Sequence, residues 1–215
     1  MKLRHLAAGA ATVGLIALSG PAFAAGPPYT VAVGGSTSGT QTVTASSTGT
    51  VQFSAKNNAG TIVNMNCTSV SGSGTVTKGS GLTQIATINS TTWVGCRIPG
   101  GAATVTQNGI WNITGTGSTA TAGTSDSVAG YVGSADASVA LTSSPSLCSF
   151  TVTGHADGTF NEATQQLVIN ETGYSGDLTL SSVGPCLGQL QNGNPANMIT
   201  TLNISTGGAG AINLS

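Results

Sequence analysis

From Thr42 to Ala55 the chain alternates, with Val43, Ala45, Val51, Phe53 and Ala55 on odd positions and Thr44, Thr50, Gln52 and Ser54 between them. Successive side chains of a β-strand point to opposite faces, so this pattern builds strands with one face buried and the other in water, broken by a turn at 46–49. Val63, Met65 and Cys67 continue on one face and carry the first cysteine inward. The same two-residue period returns at Trp111 and Ile113, Phe150 and Val152, Leu167 and Ile169, and Leu178 and Leu180. Each run is short, and Gly, Asn or Asp turn residues separate the runs at about ten-residue intervals, the spacing of an all-β antiparallel sandwich or barrel. The chain's 32 glycines would weaken helices throughout, and no window beyond the N-terminal leader carries an apolar stripe of helical period.

The leader is the one exception. Lys2 and Arg4 precede an apolar run from Leu6 to Ser19, and Ala22-Phe23-Ala24 places small residues where a signal peptidase reads them, so residues 1–24 are expected to be a signal peptide cleaved before Ala25. The apolar run is shorter than the ~20 residues a membrane-spanning helix needs. Export places Cys67, Cys96, Cys148 and Cys186 where thiols oxidise, and two disulfides are expected. The spacing contains no C-x-x-C pair and so does not suit zinc.

Four cysteines allow three pairings. An internal alignment favours one of them. Cys67 precedes Ile88-Asn89-Ser90-Thr91 by the same interval at which Cys148 precedes Ile169-Asn170-Glu171-Thr172, and Val94-Gly95-Cys96 answers Val183-Gly184-Pro185-Cys186. Asn112-Ile113-Thr114 and Asn203-Ile204-Ser205 then follow the second cysteines at nearly equal distances. Two copies of one unit, at roughly 50–117 and 131–208, would each close their own bridge, Cys67 to Cys96 and Cys148 to Cys186. The expected organisation is a signal peptide at 1–24, a first β unit at 25–117, a linker at 118–130 and a second β unit at 131–215.

Charge narrows the function. After the leader three basic residues, Lys56, Lys78 and Arg97, face six acids, Asp126, Asp136, Asp157, Glu162, Glu171 and Asp177. Without a basic patch the chain cannot neutralise phosphates, which excludes nucleic acid as a partner. The six acids form no D-x-D-x-D-G calcium loop and read as solvated turn charges. His155 is the one histidine beyond the leader, in Gly154-His155-Ala156-Asp157-Gly158, and reads as part of an exposed turn. Gly115-Thr116-Gly117-Ser118-Thr119-Ala120 matches a relaxed dinucleotide fingerprint but lacks the helix that motif requires. Thr-x-Thr pairs at Thr42, Thr75, Thr104 and Thr151 are irregularly spaced and read as solvent faces of strands. No catalytic, cofactor or metal residues are assigned.

Pro28-Tyr29-Thr30-Val31-Ala32-Val33, Thr92-Trp93-Val94-Gly95-Cys96, Gly109-Ile110-Trp111-Asn112-Ile113 and Ser146-Leu147-Cys148-Ser149-Phe150-Thr151-Val152-Thr153-Gly154 together resemble a group of uncharacterised small secreted Gly/Ser/Thr-rich proteins from mycolic-acid-bearing and related actinobacteria. The resemblance implies a Gram-positive source and an extracellular or cell-envelope destination, and it brings no activity or site residue with it. The expected function is a secreted or envelope-associated, non-enzymatic structural or interaction protein whose partners are wall glycan, envelope lipid or further copies of itself. A mycolate outer-membrane pore or β-barrel is the alternative, and an unrecognised hydrolase the third. The strands read from the sequence are too short to cross a membrane.

Overall fold

The computed structural model describes residues 28–119 and 125–215, so the expected leader and its cleavage site lie outside the described residues. The described chain is almost entirely antiparallel β. After β1 (Tyr29–Val33), a first long wall strand is made by β2 (Thr40–Ser47) and its continuation β3 (Val51–Lys56), and a second by β4 (Ile62–Cys67) and β5 (Ser69–Thr77). Beyond β6 (Gly79–Leu82), the third is β7 (Gln84–Val94) with β8 (Arg97–Ile98), and the fourth β9 (Gly101–Gln107) with β10 (Trp111–Gly115). The fifth and sixth are the unbroken β11 (Ser127–Leu141) and β12 (Ser149–Asn161). The seventh is β13 (Gln166–Glu171) with β14 (Leu178–Ser181), the eighth is β15 (Pro195–Ser205), and β16 (Ile212–Leu214) ends the chain.

Each wall strand pairs with the next in sequence. The eighth then returns to the first, with Leu202 to Ser205 opposite Ser47 to Thr44 and Ala196 to Ile199 opposite Ala55 to Gln52. The ring is closed. Of the two architectures left open by the sequence, the molecule adopts the barrel, an eight-stranded up-and-down meander in which every wall strand has a partner on both sides over at least part of its length. β1 pairs with β16 on one side and β6 on the other, and this small sheet covers one end of the barrel. Its Tyr29, Val31, Ile212 and Leu214 pack onto Val43, Val76, Ile85 and Val128 of the wall. At the opposite end residues 182–194 are mostly exposed but bury Cys186 and Leu190 in the main core, and Asn194 donates from Nδ2 to Asn58 Oδ1 at 2.9 Å.

The bridges join Cys67 to Cys96 and Cys148 to Cys186, and no cysteine is free. These are the pairs named by the internal alignment, but the two halves do not close separately. They share one ring and one core, with β15 of the second half paired to β2 and β3 of the first. The segment expected as a linker is partly strand, since β11 begins at Ser127.

Several strands outrun the sequence reading. Phe150 and Val152 belong to a strand of 13 residues, β11 has 15, and β7 and β15 have 11 each. The cause is visible at Gly154, taken in the sequence as the start of a turn. It lies within β12, where a Cβ would come to 1.9 Å from the carbonyl oxygen of Asp177. The glycine admits a close neighbouring strand and does not reverse the chain. Strand length therefore gives no argument against a membrane barrel.

Candidate functional site

His155 is in β12, not in an exposed turn. The ladder between β11 and β12 slips between Val132 and Ala135, and Ser134 takes up the extra residue with φ 53°. His155 packs there edge-on to the Tyr131 ring, with centroids 5.3 Å apart and 13% of its side chain exposed. On the other edge of β12 the ladder is interrupted between Gly158, opposite Ile169, and Gly154, opposite Leu178. Residues 172–177 bulge out of the wall at this break.

Glu171 fills the break. It keeps the inward phase of Leu167 and Ile169 and is only 2% exposed. Its Oε2 accepts the Asp157 backbone N–H at 3.1 Å, and its Oε1 accepts the Ser175 hydroxyl at 2.8 Å. Asp157, Glu171 and Asp177 each bring a carboxylate oxygen within 4.8 Å of the others, and His155 Nε2 stands 3.5 Å from Asp177 Oδ1 and 4.0 Å from Asp157 Oδ1. Three carboxylates and an imidazole are the donor types of a cation or general-base site. Here both oxygens of the buried member are already bonded to the chain, and the imidazole lies beside the other two. The arrangement ties the bulge to the barrel wall.

The reading of the acids as solvated turn charges is corrected at three positions. Glu171, Glu162 and Asp126 are all buried, Glu162 at 1% exposure. Glu162 Oε1 accepts the Leu214 backbone N–H at 2.5 Å and Oε2 accepts from Asn213 Nδ2 at 3.1 Å, so it fastens β16 to the turn after β12. Burial pushes its carboxyl above the usual range and the nearby Asp126 adds to this, while the hydrogen bonds from Leu214, Asp126 and Asn213 oppose it. For Glu171 the signal was present in the sequence, because it continues the odd-numbered phase of Leu167 and Ile169.

The barrel interior is the other candidate. It holds an apolar cavity of about 110 Å³ lined by Phe53, Met65, Trp93, Val105, Trp111 and Met198 among others. A second of about 70 Å³ lies toward the capped end, between Val76, Ile113, Phe160 and Leu214. Ala45, Gly72, Ile88 and Leu202 line both.

The outer face is of the opposite character. Thr42, Thr75 and Thr87 stand in one cross-strand row, Thr44, Ser73 and Ser90 in another, and Ser46, Ser71 and Thr92 in a third. Of the Thr-x-Thr pairs, only those at Thr42 and Thr75 meet across neighbouring strands, while Thr104 lies opposite Ala140 and Thr151 opposite Ser138.

No helix among the described residues is long and apolar enough to cross a membrane, which bears on helical spans alone. The chain matches no protein family, no curated protein and no solved structure.

Proposed function

We propose that the chain is an exported, non-catalytic binding and interaction protein of the cell envelope or its surroundings. The observation that carries this reading is the closed barrel with its apolar residues inside and hydroxyl rows outside, held by two disulfides. Disulfides persist in oxidising compartments, which agrees with the leader read at 1–24. A membrane barrel requires an apolar outer band between aromatic girdles. This wall presents Thr, Ser and Asn outward on β2, β5, β7 and β12, so the reading as an envelope pore loses its support. The His155 cluster supports attachment of the 172–177 bulge better than turnover, because each oxygen of the buried Glu171 carboxylate is engaged by the chain, one by Asp157 and one by Ser175.

Fractionation of the source cell into cytosol, membrane, wall and medium, followed by intact mass under non-reducing conditions, tests the proposal. The expected product begins at Ala25, has lost four thiol hydrogens, and is found in the medium or released from the envelope without detergent. A reduced, uncleaved chain in the cytosol, or discrete conductance steps in planar bilayers, would contradict it.

A further inference from the structure

The barrel wall has one long opening on its side. β7 pairs with β10 up to Ile88 opposite Trp111, and β8 pairs with β9 at Arg97 opposite Ala102 and Ile98 opposite Gly101. Between these points Ser90 to Val94 are paired with β5 on one edge only, and Thr104 to Gln107 of β9 are paired only with β11, while the Ala103 backbone N–H still donates to the Cys96 carbonyl at 2.9 Å. The break is bridged by side chains, with Gln107 Nε2 donating to the Ile88 carbonyl at 3.0 Å. Trp93, Ala103 and Val105 face the interior here and are nevertheless partly exposed. The larger cavity lies directly behind them.

An empty apolar cavity deprives its lining atoms of contact partners and stays dry, so a ligand of matching size and polarity is held by the contacts it restores. An engineered apolar cavity of ~150 Å³ takes up benzene, and an eight-stranded barrel is just wide enough for packed side chains or one small ligand. The present cavities, about 110 and 70 Å³, share four lining residues and lie end to end along the barrel. Their combined shape suits a short chain better than a bulky ring system. The rim of the larger one carries the exposed Asn66 and Arg97, which would leave a polar head in water.

We propose that the space behind the β7–β9 opening is a binding site for a small amphiphile, with a short hydrocarbon chain inserted side-on past Trp93 and its polar head left at the rim. The inference deepens the reading of the chain as a non-catalytic binder by naming the ligand class.

Both tryptophans of the protein, Trp93 and Trp111, line this cavity, so their emission reports the site directly. The probe is 8-bromooctanoate, whose terminal bromine quenches indole on contact, titrated against the purified disulfide-bonded protein. Saturable quenching is expected, reversed by 1-octanol and unaffected by acetate. Ala45→Leu, which adds volume where the two cavities meet, should weaken the probe at least tenfold while keeping the unfolding midpoint. Quenching that rises linearly without saturation, or that survives Ala45→Leu unchanged in a folded variant, would overturn the proposal. If that variant does not fold, an alcohol series decides. Competition should strengthen from 1-butanol to 1-octanol and then level off, and a series without chain-length dependence would overturn it. Export is measured separately by fractionation. A chain that binds the probe but is retained in the cytosol contradicts the functional reading alone, and an exported chain that ignores the probe contradicts this inference alone.

Discussion

Tyr29 is buried to 1% exposure, and its hydroxyl donates to the Gly117 carbonyl. A Cβ on Gly115 would sit 2.4 Å from the Tyr29 ring and one on Gly117 2.9 Å from the Ala129 backbone nitrogen, so of the two glycines that mimic a dinucleotide fingerprint the first admits an aromatic ring under the cap and the second admits β11. Glu162 holds the other side of the same cap. Its carboxyl is raised by burial, so the folded state favours the protonated form relative to the unfolded chain. The stability this group contributes is full below the ordinary carboxylate range and is lost as pH rises through the raised value. Glu162→Gln is uncharged at every pH. The unfolding midpoint of the wild type minus that of the variant should therefore fall as pH is raised from acid toward neutral, and calorimetry at a series of pH values measures it. A difference that rises with pH would assign Glu162 a charged, stabilising role. Glu171 was legible from its strand phase, whereas Glu162 was not, because its partners Asn213 and Leu214 are some fifty residues away and leave no local pattern.

At the level of elements, alternation identified the strands and turn residues misplaced their ends. Gly154 reads as a stop in one dimension and is a close strand contact in three. The break at 172–177 is the converse case, where Thr172, Gly173, Ser175 and Gly176 do leave the wall and the seventh strand resumes at Leu178 with its inward phase intact. The bridges act on two such irregular places. Cys67–Cys96 joins the junction of β4 and β5 to the link between β7 and β8, beside the wall opening. Cys148–Cys186 ties 182–194 to the residue before β12. Removing a native disulfide from a small exported domain typically costs about 2–5 kcal/mol. Cys148→Ser with Cys186→Ser should show a loss in that range by denaturant unfolding. It should also speed amide exchange at 189–194 before exchange in β11 and β12. Uniform acceleration across the wall would mean that the bridge supports the barrel as a whole and not this end of it.

The whole molecule depends on a pairing that no stretch of sequence announces. β15 meets β2 and β3 across about 150 residues, and with that contact missing the same strands would read equally well as a sandwich. Closure is what gives the wall an inside, places the apolar phase of every strand there, and leaves the hydroxyl rows facing water. It also explains how a chain with only 5% charged residues can present a polar surface, since Ser, Thr and Asn supply the outward phase. The inner cavities and the side opening exist only in a closed ring. The most direct test is a set of backbone NOEs and amide-exchange rates across the closing seam. Contacts from Ala196, Met198, Leu202 and Ile204 to Ala55, Phe53, Ser47 and Ala45 are predicted, with the seam amides protected as strongly as those between β11 and β12. Absent NOEs at that seam, with β15 amides exchanging at the rate of a free sheet edge, would contradict the closed barrel and the account built on it.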